Sequence, residues 1–477
     1  MKVINFNYTS LIIILLTTFL SSQDTKKASL STHNSEDSEK PNIIFYLADD
    51  QDQLDYGCYG NPKVMTSNVD KLAKEGLKFT NFYTSQAICT PSRSQIYTGM
   101  YSMKNGAMAN HLSVKPSVIS ITTHLQDAGY EVILAGKSHV NPSSVFNWSH
   151  YFKDIDHRYL PLHKIDNYLK NATKPFCMFV ASDYPHGPYP DTENYTKEDI
   201  YKLPYQSKNI PNHKPGYYQN IDDDNEQLGS VLNFVDKHGL KNNTLFIYAS
   251  DHGISGKWGL SEQGLKVPFI ARWPGKIKPN TTSNTLLTFV DVLPTFLEIA
   301  DKKPPKGIDG KSFYKTLKGN DDEIHDYIFG LASRQNIREC KVFPSRSVRG
   351  HRYKLILNFN ALEVYESNLG DNPIVNKFIK IGAESFPNTP YEELYDLEND
   401  PYQKNNLANN RIYENEKIKL RRVIEDWMKS QNDYLLTHKM PLIKPTLHPL
   451  DENSKWNKVS DDLAGKLTND DYIKLHY

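Results

Sequence analysis

A chain of 477 residues has room for about two or three domains, or for one large α/β core with additions. Lys+Arg 56 balance Asp+Glu 56, with 38% hydrophobic and 23% charged residues, so no strong field exists to steer nucleic acid or an acidic membrane surface. The four cysteines, Cys58, Cys89, Cys177 and Cys340, show no metal-ligand spacing, which removes zinc modules and disulfide-stapled scaffolds and leaves packing to supply stability.

The amino terminus carries one early Lys, an apolar stretch from Leu11 to Leu20, and small residues at Ser21 and Ser22, the pattern of a secretory signal peptide over residues 1–22. A polar segment, residues 23–40, reads as a flexible linker. No cysteine ends the apolar run, so a lipid anchor there is excluded, and no later apolar stretch is long enough to span a bilayer. The expectation is an exported protein, periplasmic or secreted, without stable membrane insertion.

From Pro41 the pattern changes to apolar runs of strand length that end in polar clusters. Asn42 to Ala48 stops at Asp49-Asp50, and Glu131 to Gly136 stops at Lys137-Ser138-His139. Pro175 to Ser182 runs into Asp183-Tyr-Pro-His186, and Thr244 to Ser250 runs into Asp251-His252. Runs without alternation are buried on both faces, as in a parallel sheet covered by helices, and such sheets bind ligands beyond the carboxyl ends of their strands. Helical spacing falls between them, at Val69, Leu72 and Ala73 before Gly76, and at Leu228, Leu232 and Val235 before Gly239. This βαβ alternation predicts an α/β fold in which all four clusters share one crevice. Any one cluster is an ordinary strand-end turn. Four together supply Asp49, Asp50, Asp251, His139, His186, His252 and a Lys, more than turns require, and so oxygen-rich a set suits Ca²⁺ or Mg²⁺ better than zinc, with calcium slightly preferred.

Between the first two of these strands lies Cys89-Thr-Pro-Ser-Arg93-Ser-Gln-Ile-Tyr-Thr-Gly99. Pro91 fits the first turn of a helix, which places Cys89 at the positive helix end and Arg93 one turn later on the same side, an anion site. From the residues alone a buried structural Cys ranks ahead of a thiolate nucleophile.

The C-x-P-S-R segment followed by T-G resembles the signature of the type I, formylglycine-dependent sulfatases. NIIFYLADDQ, AGYEVILAGKSH, PHGPY, SDHG, the stretch from Lys257 to Pro268 with RWPG after it, and ELYDLENDPYQKNNLA are similar to family segments in the family's order. The resemblance implies an alkaline-phosphatase-like domain with a mostly parallel central sheet flanked by helices over residues 41–344, and a smaller α+β subdomain with tail over 345–477. It implies that a maturase converts Cys89 to formylglycine (3-oxoalanine), and that one Ca²⁺ is held by Asp49, Asp50, residue 89, Asp251 and His252. By the same carry-over Arg93 and Lys137 support the formylglycine hydrate, His139 is the base at that hydrate, and His186 and Lys257 hold the sulfate and assist the leaving oxygen. A hydrate offers two hydroxyls on one carbon, one to attack sulfur and one whose deprotonation expels sulfate. Ser138 and Tyr97 depart from the family's usual Trp and Leu, and His252 stands at a position more often Asn.

Toward the carboxy terminus, Phe289, Val292, Leu293, Phe296, Leu297 and Ile299 show a helix-like spacing interrupted by Pro294. Tyr353 to Leu357 and Glu393 to Leu397 read as strands, and Leu420, Val423, Ile424 and Trp427 mark an amphipathic helix, so Ser345 to about Tyr434 reads as a small sheet with a covering helix. AGKSHVNPSSVFNW and FPSRSVRGHRYKLILNFN look closest to the sulfamidase-like branch, which implies a sulfated carbohydrate, with O-sulfated oligosaccharides from an algal polysaccharide such as ulvan ahead of N-sulfated glucosamine. His111, Arg346, Arg349 and His351 are candidate substrate contacts. A phosphoric or phosphonic ester hydrolase and an inactive glycan binder of the same superfamily are the rival classes.

Overall fold

The computed structural model describes residues 40–200, 215–320, 322–332, 344–359 and 390–437. The expected signal peptide, most of the linker, Cys340 and residues 438–477 of the tail lie outside the described residues. In chain order the first elements are β1 (Asn42–Ala48), α1 (Ser67–Glu75), β2 (Leu77–Tyr83), α2 (Cys89–Thr98), α3 (Ser102–Asn105), α4 (Ile121–Gln126), β3 (Glu131–Gly136), β4 (His150–Phe152), α5 (Leu162–Asn171), β5 (Phe176–Ala181) and α6 (Pro215–Lys237). They are followed by β6 (Thr244–Ser250), α7 (Glu262–Leu265), β7 (Lys266–Arg272), β8 (Thr281–Ser283), β9 (Leu287–Thr288), α8 (Val292–Ile299) and α9 (Tyr314–Leu317). The last are β10 (Ile328–Ala332), β11 (Ser345–Arg349), β12 (Tyr353–Asn358), β13 (Glu392–Asp396) and α10 (Glu414–Ser430).

The central sheet has nine strands in the order β4-β3-β5-β1-β6-β7-β2-β8, with β9 also on β2. The four apolar runs are neighbours, β3-β5-β1-β6, and every pairing among them is parallel. Alternate residues of each run feed opposite faces, which is why no polar residue interrupts them. Ile43, Phe45 and Leu47 pack with Ile96 and Tyr97 of α2, Leu125 of α4 and Phe296 of α8. Ile44 and Tyr46 pack with Val69 and Leu72 of α1, Leu169 of α5 and Val231 of α6. At about 25 cal/mol per Å², burying such side chains on both faces is the main favourable term for this layer.

Strand β7 runs antiparallel to both β6 and β2. Its Pro268 lacks an N–H, and the register against β2 shifts between Phe79 and Phe82, opposite that residue, so the missing donor falls at an irregularity of the ladder. Pro294 does not interrupt α8, contrary to the expectation: it is the third residue of the helix, in the first turn, where a missing N–H costs no intrahelical bond.

The second sheet is antiparallel, β10-β11-β12-β13. It takes its first strand from Ile328, ahead of the expected start at Ser345, because IFGLA is a short apolar strand that pairs with β11 in full register. One face packs Val348, Leu355 and Leu394 against Leu420, Ile424 and Trp427 of α10. The other sets Ile356 and Tyr395 against Tyr83, Leu260 and Leu265 of the larger layer.

Candidate active site

Parallel strands end on one side, so β1, β3, β5 and β6 deliver their terminal residues to a common rim. Asp49 is held by its N–H on the Tyr184 carbonyl at 2.9 Å, and Asp251 by its N–H on the Ala48 carbonyl at 3.0 Å. Asp50 turns out of β1 with a left-handed φ of 66°, and its N–H donates to Asp251 Oδ1 at 3.2 Å. Gly136 makes the corresponding turn after β3: its φ is +98°, and a Cβ there would lie 2.2 Å from the Ala181 carbonyl oxygen. Only glycine fits that approach, and the next residue, Lys137, is aimed at the rim by its N–H on the same carbonyl at 2.8 Å. Cys89 opens α2 and is buried, and the whole helix is buried with it.

Asp49, Asp50, Cys89 and His252 each offer a ligand atom, and these atoms all lie within 4.8 Å of one another. Cys89 Sγ is 3.7 Å from Asp49 Oδ1 and 3.6 Å from His252 Nε2, which in turn is 3.1 Å from Asp50 Oδ1. Cations ring this group. Lys137 binds Asp49 and also Asp183 Oδ1, the latter at 2.9 Å. Lys257 donates to both oxygens of Asp50, at 2.9 and 2.7 Å. Arg93, fully buried, donates through Nε to Asp251 Oδ2 at 3.0 Å, while its Nη2 sits 3.5 Å from Asp49 Oδ2 without a hydrogen bond. His186 Nε2 is 3.7 Å from Asp50 Oδ2, and His139 Nε2 is 3.0 Å from His111 Nδ1.

The expected metal ligand Asp251 stands just outside the four-donor group, because Arg93 takes Oδ2 and the Asp50 N–H takes Oδ1, although Oδ1 remains 3.8 Å from His252 Nε2. All six residues expected to do chemistry, Cys89, Arg93, Lys137, His139, His186 and Lys257, are at the rim. Of the four candidate substrate contacts only His111 is there. Arg346 is fully buried in β11 and holds Asp433 at 2.5 and 3.0 Å, a structural pair. Arg349 is buried too, stacked 4.8 Å over the Tyr83 ring and 3.5 Å from Glu262. His351 is exposed and pairs with Glu323 at 2.8 Å. The cause is common to the first two: β11 is an inner strand of the small sheet, with α10 on one face and the catalytic layer on the other, so its arginines meet protein. Three participants were missed. Asp183 shares Lys137, Ser92 Oγ donates to the Asp251 carbonyl at 2.6 Å, and Asn110 bonds His111 at 3.1 Å. Asp183 at the end of β5 carried the same strand-end signal as Asp49.

Burial raises the Asp49 carboxyl, but Lys137 and Arg93 overcome this and hold it well below the usual range. Asp50 is lowered in the same way, by Lys257 and His252 against burial. Burial and Asp49 push Asp251 up to about 7. His252 rises to about 9, since Asp251 and Asp50 outweigh the effect of its burial. Burial, Lys137 and Arg93 depress His139 to about 3, so its ring is neutral. Burial and Asp49 raise the Cys89 thiol, but Lys257, Lys137 and the His252 hydrogen bond leave it lowered overall. A proton held on His252 between two carboxylates marks where positive charge is wanted, and the donor set there, two carboxylates and an imidazole, fits a divalent cation. The buried Nη2 of Arg93 beside it fits an anionic oxygen.

Residues 41–302 match the family described as Sulfatase, and residues 250–374 match the family described as N-sulphoglucosamine sulphohydrolase, C-terminal. An ulvan-active sulfatase of Formosa agariphila is 49% identical over 470 residues, covering 95% of this chain and 94% of that protein. A 2-O GAG sulfatase of known structure superposes with a TM-score of 0.68 at 21% identity, over 87% of this chain and 96% of the other. A protein solved in complex with its substrate, D-glucosamine-2-N,6-O-disulfate, does so with a TM-score of 0.64 at 22% identity, over 83% of this chain and 99% of the other. The two structural likenesses establish a shared fold.

Proposed function

The chain belongs to the sulfatase family and is a sulfuric ester hydrolase, and from that premise we propose that it releases sulfate from ulvan-derived oligosaccharides by means of a formylglycine made from Cys89 and one Ca²⁺. The observation that carries the reading is the position of Cys89, buried at the start of α2 and in the same four-donor group as Asp49, Asp50 and His252. The ion would be held by these residues with Asp251 behind them. When present, the ion screens sulfate oxygens and the hydrated aldehyde supplies two hydroxyls on one carbon. The chain's own residues do the rest. Arg93 Nη2 faces an incoming ester oxygen, and Lys137 and Lys257 supply the remaining positive charge that lets a nucleophile approach an anion. His186, at the outer side of Asp50 and partly exposed, is placed to protonate or orient a leaving oxygen.

The ulvan preference rests on the Formosa relative, and the export of the protein to the periplasm or medium on the apolar start of the chain. Among the described residues no helix is long and apolar enough to cross a membrane. A maturase acting on Cys89 is the required partner. A second reading, sulfamidase activity on N-sulfated glucosamine, is favoured by the match of residues 250–374. One assay separates them: sulfate release from ulvan oligosaccharides, from N-sulfated glucosamine and from intact polymer, beside peptide mass spectrometry across residue 89. The reading expects the oligosaccharides to react first and the Cys89 peptide to carry the aldehyde. Activity confined to the N-sulfated sugar makes the enzyme a sulfamidase, and an unmodified thiol in fully active protein removes formylglycine.

A further inference from the structure

We infer that His111 is a positioning residue that sets which ring nitrogen of His139 carries the proton. The inference rests on the sulfatase reading and corrects one expected role: a base at the hydrate needs a free acceptor nitrogen, whereas the tautomer assigned here makes the His139 ring a hydrogen-bond donor there. His139 is neutral, so its two tautomers differ in what the ring offers: one nitrogen donates and the other accepts. The chain of contacts that chooses between them begins at the backbone. The Thr90 N–H donates to Asn110 Oδ1 at 3.2 Å, and since a backbone N–H can only donate, this fixes the orientation of the Asn110 amide. Its Nδ2 then faces His111 Nε2 at 3.1 Å, and as an amide nitrogen only donates, His111 Nε2 is the acceptor. An accepting Nε2 places the ring proton of His111 on Nδ1, which stands 3.0 Å from His139 Nε2. His139 Nε2 accepts it, and the proton of His139 lies on Nδ1.

That Nδ1 is buried and has no hydrogen-bond partner among the described residues, so its N–H is a donor turned to something those residues do not supply. The opposite tautomer would require the Asn110 amide to turn over and leave the Thr90 N–H facing a donor. The segment is clamped against such movement, since the His111 N–H also donates to Thr90 Oγ1 at 3.0 Å, directly after Cys89 at the start of α2. Both histidines hold left-handed backbone, φ 67° for His111 and 54° for His139.

Asn, Asp and Leu at position 111 separate the hydrogen bond from the shape. Asn tolerates left-handed backbone and presents an N–H close to where His111 Nδ1 was, whereas ionised Asp has the same shape and can only accept. Steady-state kinetics on a sulfated oligosaccharide should show His111→Asn within roughly threefold of wild type. His111→Asp and His111→Leu should lower kcat by about 10–100-fold with KM little changed, the scale seen when partners that orient a functional histidine are removed. A second measurement needs no turnover: in ¹⁵N-histidine-labelled wild-type protein, the ring signals lost in His139→Gln should report a protonated Nδ1 and an accepting Nε2. If the Asp variant equals the Asn variant, or the Leu variant equals wild type, the inference is overturned. If wild type releases no sulfate at all, it is the functional reading that fails, and the ring signals decide the tautomer alone, a protonated Nε2 refuting it.

Discussion

Arg93→Met removes a buried charge while filling most of the space of the stem. In the native protein the guanidinium is fully buried and faces two carboxylates, Asp251 Oδ2 at 3.0 Å and Asp49 Oδ2 at 3.5 Å. Asp49 keeps Lys137, but Asp251 is left with the Asp50 N–H and with His252 at 3.8 Å. Breaking a buried pair from one side costs about 3–5 kcal/mol. The lower end applies here, because burial and Asp49 already raise Asp251 to about 7 and the orphaned carboxyl can take a proton instead of standing charged. With an unfolding entropy of about 2.1 cal/mol/K per residue, the roughly 340 described residues lose roughly 4 °C in Tm for 3 kcal/mol. The pH dependence has a definite sign. A carboxyl whose folded pKa lies above its unfolded value contributes stability that is complete below about pH 4 and is lost as the pH rises through the folded value. Without Arg93 that folded value moves higher still, so the deficit of the variant relative to wild type should widen from about pH 5 to about pH 8.5. Calorimetry of both proteins in chelator at the two pH values measures it. A deficit that is constant or that shrinks at high pH would show that Asp251 is not the group Arg93 compensates.

Cys89→Ala should abolish sulfate release with Tm nearly unchanged, since under the proposed function it removes the nucleophile and only one of several candidate metal donors; near-wild-type turnover would exclude formylglycine chemistry. Asp49→Asn should weaken calcium binding and turnover together, and activity that survives exhaustive chelation would contradict a metal role. A calcium ion bound at this group would displace the proton that Asp251 and Asp50 favour on His252 up to about pH 9, so affinity should rise about tenfold per pH unit between pH 7 and 8, with about one proton released in calorimetry across two buffers. A pH-independent affinity would mean that His252 is not a ligand. Arg346→Met should cost about 3–5 kcal/mol by orphaning Asp433 and leave kcat/KM unchanged; a raised KM would restore Arg346 as a substrate contact.

The half of the fold that builds the crevice was legible because burial on both faces leaves a plain mark. Asn42 to Ala48 and Thr244 to Ser250 are strands in the structure with the bounds read from the chain, and the parallel order follows from the helices between them. Strand β7 was not legible as such: Pro268 argues against an inner strand, and only the ladder irregularity opposite it reconciles the two. At the site, residue types at strand ends identified the carboxylates and cations, because topology alone brings strand ends together. Side-chain partners escaped. Arg346 looks like a substrate arginine until Asp433, distant in sequence, is seen to close on it, and Asn110 is unremarkable until the Thr90 N–H fixes its amide. Pairings of this kind depend on loop paths that no local pattern encodes.

The ion pair that joins the small sheet to the catalytic layer also orders events in time. Glu262 lies a few residues after Lys257, and its carboxylate is held by Tyr83 at 2.8 Å and by Lys354 at 2.8 Å, the latter 92 residues further along the chain. During synthesis at about 5–20 residues per second, Lys354 leaves the ribosome roughly 5–20 s after its partner. Through that interval the segment bearing Lys257 has no β12 to dock against, and Glu262, held well below the usual carboxylate range by Lys354 and Arg349 against its burial, lacks both cations. Residues 41–302, although they contain every strand of the central sheet, therefore emerge with Glu262 still lacking these two cations, and the segment that follows Lys257 gains its second neighbour only when the small sheet arrives.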